Sequence, residues 1–296
     1  TYYWVIPSDL DGYGVLCFGY RNLYPQGGIN EKGLAFDANA LPRVEVRANP
    51  DGLKPYQAIV NVIIMRQCAT VVEAIDLAKS YDWSQCYGGR LDGQFMIADP
   101  SGDAVVIGAD ADGEIVFTRK PQGEGYLVST NFNLVCPDNR FGNYPCRRYQ
   151  TVEKMLKQIE PEDGLSADLL APILDKVSAK GRKLNTIYSN IFDLKKGVAH
   201  LYYWHQFDHP VTLDVAEIIA RQRQPAQIKT LFPASIVSRA AEEHEGYKKR
   251  LLWFFLGCLI LLFSGVTFIV IRRVRRASLR DAMSPADRIN NPPNPR

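Results

Sequence analysis

Cysteine thiolate is the strongest nucleophile that this chain can offer, so the positions of its cysteines are the first guide to possible chemistry. Six cysteines occur, at positions 17, 68, 86, 136, 146 and 258. They form no CxxC pair and no zinc-finger spacing, which argues against a redox motif or a structural zinc site. Cys136 and Cys146 flank a loop that contains Pro137 and Pro145. They could form a disulfide if the domain is exported, and two separate thiols are the alternative.

Other groups of reactive side chains fit structural roles better. His200, His205 and His209, with Asp208 nearby, superficially suggest a metal site, but spacings of five and four residues do not place all three histidines on one face of a strand. The acidic segment 110–114 lacks the twelve-residue ligand pattern of a calcium loop and predicts a hairpin turn. The sequence contains no P-loop, no GxGxxG after a strand and no GxSxG motif.

The most specific motif is GGINEKGLA, over residues 27–35. It joins two apolar runs, 13–20 and 34–41, and predicts a β-hairpin whose glycines adopt backbone angles that other residues avoid. The motif resembles the G-G-[MI]-N-E-K-G-L-A signature of the choloylglycine hydrolase family, which includes bile salt hydrolases, penicillin V acylases and related linear-amide C–N hydrolases. The resemblance extends over about residues 10–210.

The resemblance implies an N-terminal-nucleophile mechanism. In this family the first residue of the mature chain, normally Cys, attacks the amide, and its own α-amine moves the proton. An α-amine has a pKa near 8, which suits proton transfer near neutral pH. The family places that Cys several tens of residues before the GGIN turn, whereas only 26 residues precede Gly27 here. We therefore expect the sequence to lack its N-terminal part and, as given, to be inactive.

Three residues match the polar groups of the family's site. Asn39 follows the GGINEKG turn, close to the position of an oxyanion-hole Asn, although the register differs by about one residue. Asn131 ends the segment LVSTN, similar to the family's strand-end Thr-Asn, and Asn133 is the fallback. Arg148 corresponds to an Arg that orders the catalytic centre, with Arg147 as its competitor. The structural alternatives are a turn Asn, a strand-terminating Asn and a solvated helix-start Arg.

Two residues within the chain are alternative nucleophiles. Thr1 carries a hydroxyl and a free amine, but it lies too close to the turn and precedes an apolar segment that reads as a later strand. Cys17 would require cleavage inside a predicted strand. We therefore expect the nucleophile to lie upstream of Thr1.

The predicted elements alternate between blocks of strands and blocks of helices. Strands with hairpin connections favour antiparallel sheets and an α+β fold over a doubly wound parallel sheet. The family resemblance implies a four-layer αββα sandwich. The predicted strands are 2–7, 14–20, 34–41, 94–99, 103–108, 114–119, 125–130, 186–192 and 198–205, and the predicted helices are 55–66, 70–81 (capped by Thr70), 147–159 and 166–177 (kinked or shortened by Pro172).

The segment LLWFFLGCLILLFSGVTFIVI, residues 251–271, predicts a transmembrane helix. Its 21 uncharged residues would span roughly 30 Å, the thickness of the hydrocarbon core. More basic residues follow the segment than precede it, which predicts a cytoplasmic tail and an extracytoplasmic domain. The expected divisions are an amidase domain over 1–222, a juxtamembrane connector over 223–250, the span, and a basic, disordered tail over 272–296.

The sequence thus predicts a membrane-tethered amidase that hydrolyses a linear acyl amide. Acyl transfer at the same site and a catalytically dead, membrane-anchored binding module are the alternatives. The mechanism needs no metal and no organic cofactor. The expected partners are a small-molecule acyl amide and the membrane, and a homo-oligomer stays open. The near-balanced charge, 35 basic against 32 acidic residues, gives no case for nucleic-acid binding.

Overall fold

A computed structural model describes residues 1–47, 53–55, 60–84, 90–123, 125–136, 146–159, 164–181, 184–221 and 224–281. Cys86, Pro137, Pro145 and the tail from residue 282 lie outside the described residues, as do positions 56–59 of the first predicted helix. The chain divides into two compact units, Thr1–Ala240 and Ala241–Arg296.

The strands of the first unit form antiparallel sheets, as the hairpin connections predict. The described strands are β1 Tyr2–Ile6, β2 Val15–Gly19, β3 Pro25–Asn30, β4 Ala35–Glu45, β5 Lys54–Pro55, β6 Tyr81–Asp82, β7 Arg90–Ala98, β8 Ala104–Ala109, β9 Ile115–Arg119, β10 Tyr188–Asp193, β11 Val198–Tyr203, β12 Val211–Asp214 and β13 Ala226–Gln227. A large sheet has the order β13-β1-β2-β3-β4-β7-β8-β9, and a small sheet has the order β10-β11-β12. A short parallel pair, β5 and β6, stands apart from both.

Six α-helices are described in the chain. They are α1 Val60–Gln67, α2 Val71–Lys79, α3 Arg147–Leu156, α4 Ala167–Val177, α5 Val215–Arg221 and α6 Ala234–Asp281. Thr70 caps α2 by accepting a hydrogen bond from the Glu73 backbone N–H, as its sequence position predicts. Helix α4 continues through Pro172 without ending there.

Two hydrophobic cores lie on opposite faces of the large sheet. One core joins the sheet to α1 and α2, through residues such as Phe36 and Ile64. The other joins it to the small sheet, through residues such as Phe18 and Leu201. Tyr202, on the opposite face of the small sheet from Leu201, is buried and lies near Asp168 of α4. The predicted α+β sandwich with antiparallel sheets is therefore observed, in the layer order helix, sheet, sheet, helix.

The GGINEKGLA motif forms a different hairpin from the one predicted. Residues 25–30 are a strand of their own, β3, which pairs with β2 on one side and with β4 on the other. The apolar runs 13–20 and 34–41 are therefore not direct partners. Gly28 permits this arrangement because a Cβ there would lie 2.7 Å from the Leu16 carbonyl oxygen. The turn itself is residues 31–33, where Gly33 has a φ of +83°.

The side-chain amide of Asn30 makes hydrogen bonds on both sides of this turn. Its side chain is 1% exposed, and its Nδ2 donates to the carbonyl oxygens of Met65 and Cys68, each at 2.8 Å. Its Oδ1 accepts from the backbone N–H groups of Lys32 and Leu34, each at 3.0 Å. The buried amide thus ties the β3–β4 turn to the end of α1.

Two local predictions were wrong. Residues 125–130 form no strand, because side chains rather than a strand ladder bind this segment, as described below. Pro55 begins no helix; it lies in the short strand β5, and the described part of α1 is Val60–Gln67.

The structure extends beyond the predicted elements at the end of the first unit. Ala226 pairs with Tyr3, and the side chains of Ile228, Phe232 and Ile236 join the core between the two sheets. Helix α6 then runs for 48 residues. Within the described part of the chain, no helix offers a stretch long and apolar enough to cross a membrane.

Candidate active site

The three residues predicted for the site lie together. The Arg148 guanidinium Nη2 donates to Asn131 Oδ1 at 2.7 Å. The Asn131 Nδ2 donates in turn to the Ala40 carbonyl oxygen at 2.9 Å. Ala40 follows Asn39 in β4, so these two hydrogen bonds join the start of α3 to the strand that carries Asn39. The sequence separation across the second bond is 91 residues.

Strand β4 directs Asn39 toward the small sheet. Successive side chains of a strand point to opposite faces. Ala35 belongs to the core between the sheets and Phe36 to the core against the helices, so Asp37 and Asn39 share the face of Ala35. Asn39 pairs with Gln94 of β7, and Asp37 pairs with Met96. The site therefore opens on the face of the large sheet that meets the small sheet.

The amide of Asn39 is held at both ends. Its Oδ1 accepts a hydrogen bond from Ser129 Oγ at 2.9 Å, and its Nδ2 donates to Asp37 Oδ2 at 3.2 Å. The ionised Asp37 carboxylate only accepts hydrogen bonds and therefore identifies the nitrogen end of the amide, and the Ser129 hydroxyl then donates to the oxygen end. An amide nitrogen carries two protons, so one proton of Asn39 Nδ2 is available to a developing oxyanion.

Gln94 positions the segment that carries Asn131, and the sequence analysis missed it. Its side chain is 1% exposed. The Nε2 lies within hydrogen-bond distance of three acceptors: Ser129 Oγ at 3.0 Å, the Thr130 carbonyl at 2.8 Å and the Phe132 carbonyl at 2.9 Å. The Oε1 accepts from the Leu134 backbone N–H at 3.3 Å. These bonds replace the strand pairing that was predicted for residues 125–130.

Helix α3 presents Arg148, and not Arg147, to the site. The Phe132 and Tyr149 rings meet edge to face with centroids 5.0 Å apart, which fixes the first turn of α3 against the segment after Asn131. Arg148 lies in this first turn and reaches Asn131. Both arginine side chains are exposed, but no hydrogen bond joins that of Arg147 to Asn131, and the Arg147 carbonyl accepts from Thr151 Oγ1. The geometry thus separates the two candidates.

Asn133, the fallback for Asn131, has a structural role. Its side chain is 2% exposed, and its Nδ2 donates to the Ala109 carbonyl at 2.8 Å. Its Oδ1 accepts from the backbone N–H groups of Val135 and Cys136. These three hydrogen bonds fix the loop to β8 and give this buried amide a structural role.

Asp37 is a second residue that the sequence analysis missed. Solvent reaches its carboxyl group, but protein atoms surround it on most sides, and this burial raises its pKa to about 7 against hydrogen bonds from Asn39 and the Ala38 backbone that lower it. The pKa of the Tyr188 phenol is also raised, mainly by burial and further by the charge of Asp37. No sequence signal marks Asp37, because a polar residue on a strand face is commonly solvated.

The thiols of the first unit differ in character. Burial raises the pKa of Cys17 and of Cys68 to about 12, and both side chains lie in the core against the helices. Burial acts in the same direction on Cys146 but is outweighed. The nearby backbone N–H groups of Tyr149 and Arg148, the Thr130 hydroxyl and the charge of Arg148 lower the pKa of its thiol, and the Cys146 side chain makes no capping hydrogen bond. Cys146 is the N-cap residue of α3, where a thiolate is favoured.

The alternative nucleophiles fit the site poorly. Cys17 is fully buried on the opposite face of the sheet from Asn39. Thr1 precedes β1, which β2 and β3 separate from β4. Three strand spacings correspond to about 14 Å. Cys136 and Cys146 are free thiols, as are Cys17, Cys68 and Cys258, so no disulfide links the pair that was considered.

His200, His205 and His209 each contact a different group, and the acidic segment 110–114 forms its own turn. Nδ1 of His200 lies 3.1 Å from Thr212 Oγ1, Nε2 of His205 lies 3.0 Å from the Ala179 carbonyl, and Nε2 of His209 lies 3.3 Å from Arg239 Nη1. No group of three His, Cys, Asp or Glu side chains among the described residues could hold a metal ion. Asp110 accepts from the backbone N–H groups of Asp112 and Glu114, which closes the predicted hairpin turn.

The chain was compared with known families, sequences and structures. The family model described as acyl-coenzyme A:6-aminopenicillanic acid acyl-transferase matches residues 2–208. No curated protein sequence is significantly similar to the chain.

Similar solved structures include two variants of the conjugated bile acid hydrolase from Clostridium perfringens. One superposes with a TM-score of 0.55 at 14% identity, over 75% of this chain and 87% of that chain. The other gives 0.51 at 16% identity, over 72% and 80%. The penicillin V acylase from Agrobacterium tumefaciens gives a TM-score of 0.47 at 15% identity, over 73% of this chain and 78% of that chain. At these identities the likeness establishes the fold alone.

Proposed function

Because the chain belongs to the acyl-coenzyme A:6-aminopenicillanic acid acyl-transferase family, we propose that it carries the oxyanion-binding part of an enzyme that cleaves linear amide C–N bonds. The observation that carries this proposal is the hydrogen-bonded path from Arg148 through Asn131 to Ala40, beside Asn39. It gathers two carboxamides and one guanidinium at the edge of the space between the sheets. Such donors stabilise the negative charge that develops on a carbonyl oxygen under attack.

The proposed reaction proceeds through an acyl-enzyme. The thiol of an N-terminal Cys upstream of Thr1 attacks the amide carbonyl, and its α-amine takes the thiol proton. The C–N bond then breaks, the proton passes to the leaving amine, and a thioester remains. Water attacks the thioester, which releases the carboxylic acid and restores the thiol. In this proposal Asn39 and Asn131 bind the oxyanion, and Arg148 holds Asn131 through its hydrogen bond.

The same site would serve acyl transfer, in which an amine takes the place of water. The description of the matching family names an acyl-transferase, which favours this second candidate. The two reactions share the thioester, so the competition between water and an added amine for that intermediate distinguishes them. A catalytically dead binding module is the third candidate, and it would lack Cys at the processing point.

The decisive experiment is N-terminal sequencing of the mature protein expressed from the complete upstream reading frame. A free N-terminal Cys is expected, and its change to Ser or Ala should abolish release of amine from a panel of acyl amides. The products with and without an added amine then separate hydrolysis from transfer. A mature protein without N-terminal Cys would overturn the thiol mechanism.

We also propose that residues 251–271 anchor the protein in a membrane, with the catalytic unit extracytoplasmic. The segment is uncharged over 21 residues, and apolar side chains such as Leu252, Trp253 and Ile260 are exposed on α6. Alkaline carbonate extraction of membranes tests the anchor, since a spanning helix stays with the lipid. The substitution Ile260→Arg should release the protein and Arg273→Gln should not. Complete extraction of the unchanged chain would refute the anchor.

A further inference from the structure

Asp37 is a carboxylate without a cationic partner in the described part of the chain. The ion pairs of the described residues join other acids, such as Asp9 with Arg66 and Asp103 with Arg119. Asp37 Oδ2 accepts from the neutral amide of Asn39 at 3.2 Å. Loss of part of its hydration is unfavourable for a carboxylate without a compensating charge, even where solvent still reaches it. The site therefore has a place for a cation that the neighbouring residues do not supply.

Gly27 leaves space beside the second carboxylate oxygen of Asp37, Oδ1. Gly27 of β3 pairs with Asp37 of β4, and a Cβ at position 27 would lie 3.1 Å from Asp37 Oδ1. Any side chain at position 27 would therefore crowd this oxygen. The absence of a side chain leaves Asp37 Oδ1 accessible, and residue 37 as a whole is exposed to solvent.

Aromatic rings border the same carboxylate. The Tyr188 phenol lies close enough to Asp37 and to Tyr20 for both to raise its pKa. The Tyr188 ring packs against Phe18 with centroids 6.3 Å apart, and the Tyr20 hydroxyl accepts from Gln26 Nε2 at 2.9 Å. A carboxylate near a phenol is a favourable environment for a protonated amine, because the carboxylate attracts the positive charge and both groups can accept its hydrogen bonds.

We infer that Asp37 binds a protonated amine carried by the substrate, so that the substrate class is acyl amides with a cationic group. The inference rests on the proposed function, because it places that cation beside Asn39, where the scissile carbonyl would bind. The raised pKa of Asp37 agrees with it: an ammonium ion at this position supplies the missing positive charge and lowers that pKa again.

Binding of two matched amides tests the inference. One probe is N-octanoyl-1,4-diaminobutane, which carries one ammonium group, and the other is N-octanoyl-pentylamine, in which a methyl group replaces the ammonium. Isothermal titration calorimetry with the full chain in detergent measures both affinities at pH 8. The wild type should bind the cationic probe at least about tenfold more tightly than the neutral one.

The variant Asp37→Asn removes the charge and keeps an oxygen that can accept from Asn39. It should abolish the preference for the cationic probe. Asp112→Asn, which makes the same charge change in the exposed turn before β9, should keep the preference. Equal affinities of the wild type for the two probes, or no binding of either, overturn the inference. An equal loss of both affinities in Asp37→Asn also overturns it, because Asp37 would then act only through Asn39.

Hydrolysis of the same two amides by the processed full-length protein is a separate measurement. Selective binding without hydrolysis counts against the proposed amide cleavage and leaves the cation site standing. Hydrolysis of both amides without preference for the cationic one supports the proposed amide cleavage and counts against the cation site.

Discussion

The Arg148 guanidinium donates a hydrogen bond of 2.7 Å to the side-chain carbonyl of Asn131. This contact leaves the Asn131 nitrogen free to donate to β4 at Ala40. The arginine therefore determines which way the amide of Asn131 faces, and with it how α3 is held against the strand that carries Asn39.

Replacement of Arg148 should impair catalysis. Arg148→Lys removes the planar guanidinium that reaches Asn131, and we expect kcat/KM for a hydrolysed acyl amide to fall about ten- to a hundredfold. Arg147→Lys is the matched control, since Arg147 is exposed and its side chain does not contact Asn131. Steady-state kinetics of the processed full-length protein measures both. Equal losses in the two variants would show that Arg148 has no special place in the site.

Gln94 should matter for stability more than its polar character suggests. Gln94→Leu leaves the Thr130 and Phe132 carbonyls without their side-chain donor, which should lower the free energy of unfolding by about 1–3 kcal/mol. Urea unfolding followed by tryptophan fluorescence provides the measurement. Gln150→Leu, at an exposed position of α3, should change it little. An unfolding midpoint for Gln94→Leu that matches Gln150→Leu would contradict the role assigned to this amide.

Asp37 should make stability depend on pH. Its pKa is raised from 3.8 to about 7, so the folded state binds the proton more tightly than the unfolded state. Its contribution to stability is then full below pH 4 and is lost as the pH rises through 7. Asp37→Asn should therefore be more stable than the wild type at pH 8. The expected difference is only about 1 kcal/mol, since solvent that reaches the carboxyl group reduces the effect.

Titration of the neighbouring Tyr188 does not interfere with this measurement. The pKa of Tyr188 is raised, so this phenol stays neutral between pH 4 and 8. Thermal melting of the wild type, Asp37→Asn and the control Asp112→Asn across this interval gives the comparison. A wild-type curve parallel to that of Asp37→Asn at all pH values would show that Asp37 is ionised normally.

Cys146 should react faster than the buried thiols. The nearby Tyr149 backbone, the Thr130 hydroxyl and the charge of Arg148 lower the pKa of this thiol. Iodoacetamide at pH 7 should alkylate Cys146 well before Cys17 or Cys68, whose thiols are buried. Mass spectrometry of timed samples follows each site. Arg148→Gln should slow the alkylation of Cys146, whereas Arg147→Gln should not; an unchanged rate in Arg148→Gln would remove the electrostatic explanation.

Several features followed from the sequence alone. The family resemblance is confirmed, and the antiparallel α+β sandwich is observed. Local signals were sufficient for the Thr70 cap, for the turn at Asp110 and for the hairpin of β10 and β11, since each depends on residues within a few positions of one another. Asn39, Asn131 and Arg148 were named from motifs; that they meet is now a structural fact, while their catalytic roles and the upstream nucleophile stay predictions.

The tertiary structure decided the rest. Ser129 contacts Asn39 across 90 residues, and Gln94 binds the Phe132 carbonyl across 38. Contacts at these separations depend on which strands become neighbours, and no local pattern encodes that. The insertion of β3 between β2 and β4 and the irregular path of residues 125–130 depend on it as well. The uncompensated position of Asp37 follows for the same reason: its charge environment is set by residues from β3, β4 and β10 that only the folded sheets bring together.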